Sequence, residues 1–378
     1  MVDSPLIGDC GVTVISGGIG GLATTLACAL SGHDVVLVEA LANIIRCAVP
    51  LSAILIMRWQ GGSILAGIPA DNQYRTQYVI HRGGIYRILL ERVKSLPNVQ
   101  VPTGARAVNL DFFEAFVTLE DGRVLAGDVI VGADGIKSTV LCLVLGKGVQ
   151  PVSTGDCAYR LVLSREVLES NTNLKELVDA PVGIRWVGPG RHAMAYPMKG
   201  HQLHKMVLVH PDDSALDCVS WATKAEAYDG KMMEWKLCTT DTLPGWTRRN
   251  FCLLGDACHP MLPYVAQGAA QTIEDATTLS ILLDSISAPS EIRSALDMYE
   301  LSRKFRCERI QATARANRTC LNLPDSLEQE MRDQQFAQLS QGQQIPIKEE
   351  SLLIDALESI GLSGMNDGGK KKKRKESY

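Results

Sequence analysis

Leu254-Gly255-Asp256-Ala257-Cys258-His259-Pro260-Met261-Leu262-Pro263-Tyr264, followed by Ala266-Gln267-Gly268-Ala269-Ala270, is the stretch on which the reading of this chain turns. The apolar run 251–254 predicts a short buried strand, the prolines a turn, and the small residues from Gly268 onward the start of a helix. Asp256 then stands at a strand end facing exposed helix amides. Such a place can hold a polyol and a phosphate-bearing group.

Two further segments accompany it. Val12-Thr13-Val14-Ile15 reads as a buried strand, Ser16-Gly17-Gly18-Ile19-Gly20-Gly21 as a glycine turn, and residues 22–30 as a helix rich in Ala and Leu. Residues 35–38 predict a second strand ending in Glu39. This is the order of a dinucleotide-binding βαβ unit, in which glycines let amides approach a pyrophosphate and the acid takes a ribose hydroxyl. Gly18 and Gly21 hold the second and third glycine positions, whereas Ser16 occupies the first. The other segment is Val129-Ile130-Val131-Gly132-Ala133-Asp134-Gly135-Ile136-Lys137-Ser138, a strand running into an Asp-Gly turn.

Taken together, in this order, the three segments resemble the fingerprints of flavin-dependent aromatic hydroxylases, the para-hydroxybenzoate and salicylate hydroxylase group, fungal secondary-metabolism type. The resemblance implies an α/β fold: a Rossmann-like FAD-binding domain of the glutathione-reductase type, interleaved with a β-sheet substrate domain and followed by a helical C-terminal region. It implies noncovalent FAD, with NADH or NADPH as co-substrate and O₂ as oxidant. It also implies that Asp256 contacts the ribityl chain, that the helix opening at Gly268 and Ala269 points at the flavin, and that the Asp134 turn touches FAD.

Further matches extend it. Arg82, in Ile80-His81-Arg82-Gly83-Gly84-Ile85, resembles the family's helix-start Arg that contacts FAD, and a fixed guanidinium suits phosphate or carbonyl oxygens. Cys157-Ala158-Tyr159-Arg160 resembles a fungal "AYR" element whose Arg positions a phenolate, and Tyr196 a second substrate anchor. A cation at Arg160 would lower a phenol's pKa and favour the phenolate. Either residue could equally be a sheet residue with an exposed tip.

The matches place a first FAD-binding segment at residues 1–150, with a shortened 40–78 stretch, and a substrate-binding sheet at 151–245. A second FAD-binding segment with C-terminal helices follows at 246–336, and a polar, disordered tail at 337–378. Residues 40–62 lack the glycine-rich, ring-side segment that the family carries there. That departure leaves open a second reading, a non-catalytic FAD-fold binding protein or an inactive truncated relative.

Composition fits a globular enzyme. The chain has 378 residues, 46% of them hydrophobic, and a mean hydropathy of +0.04. A net charge of −4 argues against a nucleic-acid surface. The eleven cysteines include no C-x-x-C pair, so reduced thiols in a cytoplasmic setting are expected, with Cys252 and Cys258 as small buried hydrophobes. No leader and no membrane span are read, and no metal is expected from His201, His204 and His210, which lack a completing ligand. The basic run 370–375 reads as a solvated tail. The 299–309 run resembles a family helix, which implies a helix packed in the FAD domain, and its charges read as solvated. The expected partners are a small aromatic substrate and O₂; the oligomeric state is not read.

Overall fold

The computed structural model describes residues 11–30, 46–72, 75–100, 106–172, 174–212, 222–224 and 233–339. The predicted second strand 35–38, Glu39 and the tail from residue 340 lie outside them.

Strands Val12–Ile15, Val129–Gly132 and Phe251–Leu253 run parallel, and Thr247–Arg248 adds an antiparallel edge. Val129, Ile130, Val131, Phe251 and Leu253 have no exposed surface, as expected of parallel strands covered on both faces. Each large apolar side chain so buried contributes roughly 1.5–3 kcal/mol. Helix Ile19–Ala29 packs against helix Gly268–Asp284. Small residues permit that approach, since a Cβ on Gly20 would come within 2.6 Å of Thr272 Cγ2.

A second, eight-stranded sheet runs in the order Ala222–Lys224, Met233–Thr239, Val152–Ser164, Leu203–Pro211, Arg191–Met198, Val182–Gly188, Ala53–Arg58 and Ile64–Pro69. Strands from the predicted 151–245 segment form most of it. It also takes in 53–58 and 64–69, which the sequence pattern counts with the first FAD-binding segment; Ala53–Arg58 pairs parallel to Val182–Gly188. Alternation sorts its residues by face. Leu161, Ile184, Trp186, Ala195 and Met206 pack outward with Leu168, Leu177 and Val178 of two short helices. Ile56, Ala158, Val187 and Val209 pack inward with Leu262, Tyr264 and Ala314, so the inner face is turned toward the segment that follows Asp256.

Polar contacts fasten this junction. Asp156, on the inner face, accepts from Arg318 Nε and from Tyr264 Oη, each at 2.5 Å. Arg58 pairs with Asp325 at 2.6 Å and Asp333 at 3.0 Å, which docks helix Leu327–Leu339 on strand Ile64–Pro69. The 30-residue helix Ile292–Leu321 carries Arg318 and spans both halves of the molecule. Among the described residues no helix is long and apolar enough to cross a membrane.

Candidate active site

Ile15, Gly132 and Leu253 stand in register across the parallel strands, so the Ser16, Asp134 and Asp256 turns all emerge at one sheet edge. Ligands of open α/β sheets bind at this carboxyl edge. Three segments far apart in sequence are thus neighbours.

The glycine turn is built around Ser16. Its φ of 154° lies where L residues are strained, and its Oγ accepts the Gly18 N–H at 2.9 Å. Gly21 must lack a side chain, because a Cβ there would fall 2.1 Å from Ser16 O. By contrast, a Cβ on Gly17 would meet nothing within 4 Å, so the turn faces open space. Helix Ile19–Ala29 starts there with no side-chain cap and no acid in its first turn, leaving its positive end open to an anion.

Helix Gly268–Asp284 begins alongside it. Thr272 lies against both Gly20 and Gly255, which brings this helix start beside the first, and it too has no side-chain cap and no acid in the first turn. Gly268 is half-buried and Ala269 exposed. Ala266, with φ of 53°, turns the chain into the helix.

Asp256 keeps exposed surface although protein crowds it on most sides. Burial raises its carboxyl above the usual range, and His259 and Arg82 partly offset that. Arg82, first residue of helix Arg82–Lys94, is exposed and close enough to be felt by Asp256, Arg160 and Lys205. It therefore stands between the sheet edge and the second sheet. Asp134 is engaged differently: it accepts Ser138 Oγ at 2.5 Å and the Thr139 and Val140 amides at 2.7 and 3.1 Å, capping helix Thr139–Leu145.

On the inner face of the large sheet, Arg160 and Tyr196 come together with Lys205, which the sequence alone does not single out. Tyr196 pairs with Lys205 across adjacent strands, and Arg160 with Val207 two residues along. Burial raises the Tyr196 phenol, with Arg160 acting against the rise. Burial and the neighbouring cations lower Arg160 and Lys205. Arg160 also lies 4.9 Å from the Trp235 ring centroid.

Beneath the Asp256 turn lies a buried network. His259 Nε2 meets Asp275 Oδ2 at 2.5 Å, Arg303 donates to Asp275 Oδ1 at 2.8 Å and Glu274 at 2.6 Å, and Gly255 N donates to Asp275 at 3.2 Å. Tyr299 is buried, as a packed helix requires, but Arg303 is buried too, against the expectation that the charges of 299–309 are solvated. His259, Asp275 and Cys307 have the donor types and closeness of a metal site. Yet Arg303 already supplies a positive charge beside Asp275, and although burial alone would lower His259, the Asp275 contact raises it to about 10, which favours the imidazolium. A protonated imidazole cannot ligate. Cys252 and Cys258 are buried in the core, as expected.

Comparison with known proteins agrees with this geometry. The sequence pattern of the FAD binding domain family matches residues 220–314. The chain is 35% identical to the FAD-dependent monooxygenase atnJ of an Arthrinium species, over 86% of this chain and 88% of that one. It is 33% identical to the FAD-dependent monooxygenase ntnJ of a Nectria species, over 88% and 90%. The chain belongs to the FAD-dependent monooxygenases.

A salicylate hydroxylase in its substrate complex shares the fold, with a TM-score of 0.72 at 24% identity over 87% of this chain and 93% of that one. The monooxygenase thus uses FAD, with NADH or NADPH as the family's electron donor. The residues present fit the cofactor: two uncapped helix starts for the pyrophosphate, open space before Gly17, and a carboxylate at Asp256 for a polyol.

Proposed function

We propose that this monooxygenase hydroxylates a small phenolic aromatic, held between the Asp256 edge and the inner face of the large sheet. The observation that carries the reading is the convergence of Arg82, Arg160 and Lys205 around Tyr196. Burial first, and then repulsion from neighbouring cations, depresses the Arg160 and Lys205 pKa values, and an anionic substrate relieves the repulsion. Relatives of the chain include a 3-hydroxybenzoate 6-hydroxylase of Aquipseudomonas alcaligenes and a 6-hydroxynicotinate 3-monooxygenase of Bordetella bronchiseptica, whose names specify hydroxylated aromatic acids.

Bound FAD supplies electron transfer from NAD(P)H to O₂ and so an activated oxygen atom. The chain's residues do the rest. Arg160 holds the substrate oxygen as phenolate, which raises electron density on the ring. Tyr196, kept neutral by burial, donates a hydrogen bond to the same oxygen. Gly18, Gly21, Gly268 and Ala269 present the backbone that cradles the cofactor, with Glu39 taking a ribose hydroxyl. Arg82 and Asp256 orient the cofactor at its polyol and ring, and Asp134 shapes its turn through the helix cap.

The test is isotopic. Purified protein, NAD(P)H, ¹⁸O₂ and a panel of monohydric phenols should yield a catechol or quinol carrying one labelled oxygen per NAD(P)H consumed. NAD(P)H oxidation that gives only hydrogen peroxide with every phenol would refute the hydroxylase reading and leave the flavoprotein intact.

A further inference from the structure

Arg185 lies on strand Val182–Gly188, between Ile184 and Trp186, whose side chains fill the outward core. Alternation therefore turns Arg185 to the inner face. Pairing links Arg185 to Met194, Met194 to Val207 and Val207 to Arg160, so the four form one row across adjacent strands. Two arginines end the row, and two half-buried apolar side chains make its floor.

Among the described residues Arg185, like Arg160, has no anion beside it. Its Nε is enclosed and without a partner, and no carboxylate pairs with it among the described residues. Three other arginines away from this row are matched: Arg303 by Asp275 and Glu274, Arg58 by Asp325 and Asp333, Arg332 by Asp333. A guanidinium ringed by protein and unmatched is costly unless an anion joins it. Crowding by protein acts on it alone, with no acid to offset the loss of water.

We propose that Arg185 binds a carboxylate carried by the substrate, at the opposite pole of the row from Arg160, with the aromatic ring over Met194 and Val207. This rests on the reading of Arg160 as phenolate anchor. Three strand spacings separate the two arginines, about 14 Å between Cα atoms. Long side chains shorten the gap, yet a bare hydroxybenzoate is too short to use both well. The preferred substrate class is a phenol whose acid sits on a side arm.

The experiment measures binding to the FAD-loaded enzyme by perturbation of flavin absorbance, using 4-hydroxycinnamate and 4-propylphenol, probes of matched length with and without the acid. Wild type should bind 4-hydroxycinnamate at least about tenfold more tightly, the size of one charge-assisted hydrogen bond. Arg185→Met should erase that preference while leaving FAD content and 4-propylphenol binding unchanged, and Arg185→Lys should restore part of it. A wild type that binds both alike or neither, an Arg185→Met variant that keeps the preference, or one that loses FAD would overturn the proposal. Arg160→Met separates the two claims: it should weaken both probes, and if it weakens neither while Arg185→Met behaves as stated, the phenolate reading alone fails.

Discussion

His259 Nε2 lies 2.5 Å from Asp275 Oδ2, and this contact ties the turn bearing Asp256 to the helix that starts at Gly268. Arg303 takes the other carboxylate oxygen, so one buried acid neutralises two cations and also accepts the Gly255 amide. Removing its charge leaves His259 without a counter-charge and Arg303 with Glu274 alone. Asp275→Asn should cost about 3–5 kcal/mol of stability, as breaking a buried ion pair does. Thermal melting of the FAD-free protein checks this; a change within about 0.5 kcal/mol would show that the network is not what secures the turn.

Asp256→Ala should behave in the opposite way. Its side chain has no hydrogen-bonding partner among the described residues and keeps exposed surface, so its loss should spare the FAD-free fold and weaken FAD binding. Titrating FAD into both proteins and comparing melting with and without it separates the effects. Equal losses in the two states would make Asp256 a structural residue.

The sequence displayed the cofactor edge because each of its elements is local, a strand, a turn and a helix start within a dozen residues. Even the misfit was visible there: Ser16 in a glycine position became the strained φ of 154°. The substrate side was only partly legible. Lys205 joins Tyr196, and Arg185 joins the row of Arg160, through strand register, which no short window encodes. Arg303 looked like one charge on a solvated helix face, but Asp275, 28 residues earlier, draws it inside. Likewise, strands 53–58 and 64–69 lie closer in sequence to the glycine turn than to the sheet they complete, and only the parallel pairing of Ala53–Arg58 with Val182–Gly188 assigns them.

Ser16→Gly should improve cofactor binding. It removes a strained backbone conformation worth roughly 1–3 kcal/mol and frees the Gly18 amide, now held by Ser16 Oγ, to face a phosphate. A glycine's added freedom in the unfolded chain offsets some of the stability gain, so the cleaner readout is FAD affinity, expected to tighten roughly threefold to tenfold. Weaker binding would show that the Ser16 hydroxyl helps to hold the turn.

Stability should peak near pH 6.5. Below that value an unfolded histidine takes up a proton, whereas burial holds His192 and His204 down to about 4 in the fold, so stability falls between pH 6.5 and 4. His259 acts on the other side. Its folded pKa is raised to about 10, so its stabilisation is complete below 6.5 and lost as pH rises through 10. Melting temperature across pH for wild type and His259→Gln reads both limbs: the variant should flatten the alkaline limb and leave the acid limb alone. An unaltered alkaline limb would mean that His259 is not the group responsible.

The most direct test of the account is product formed per NAD(P)H consumed, measured across pH with one phenol for wild type and Arg160→Met. Arg160 lies on the large sheet, not at the Asp256 edge, so the variant should keep its FAD and lose coupled oxygenation near neutral pH. The deficit should shrink as pH approaches ~10 and the phenol ionises unaided. An unchanged product yield, or FAD lost together with activity, would contradict the assignment of Arg160 as the residue that holds the phenolate.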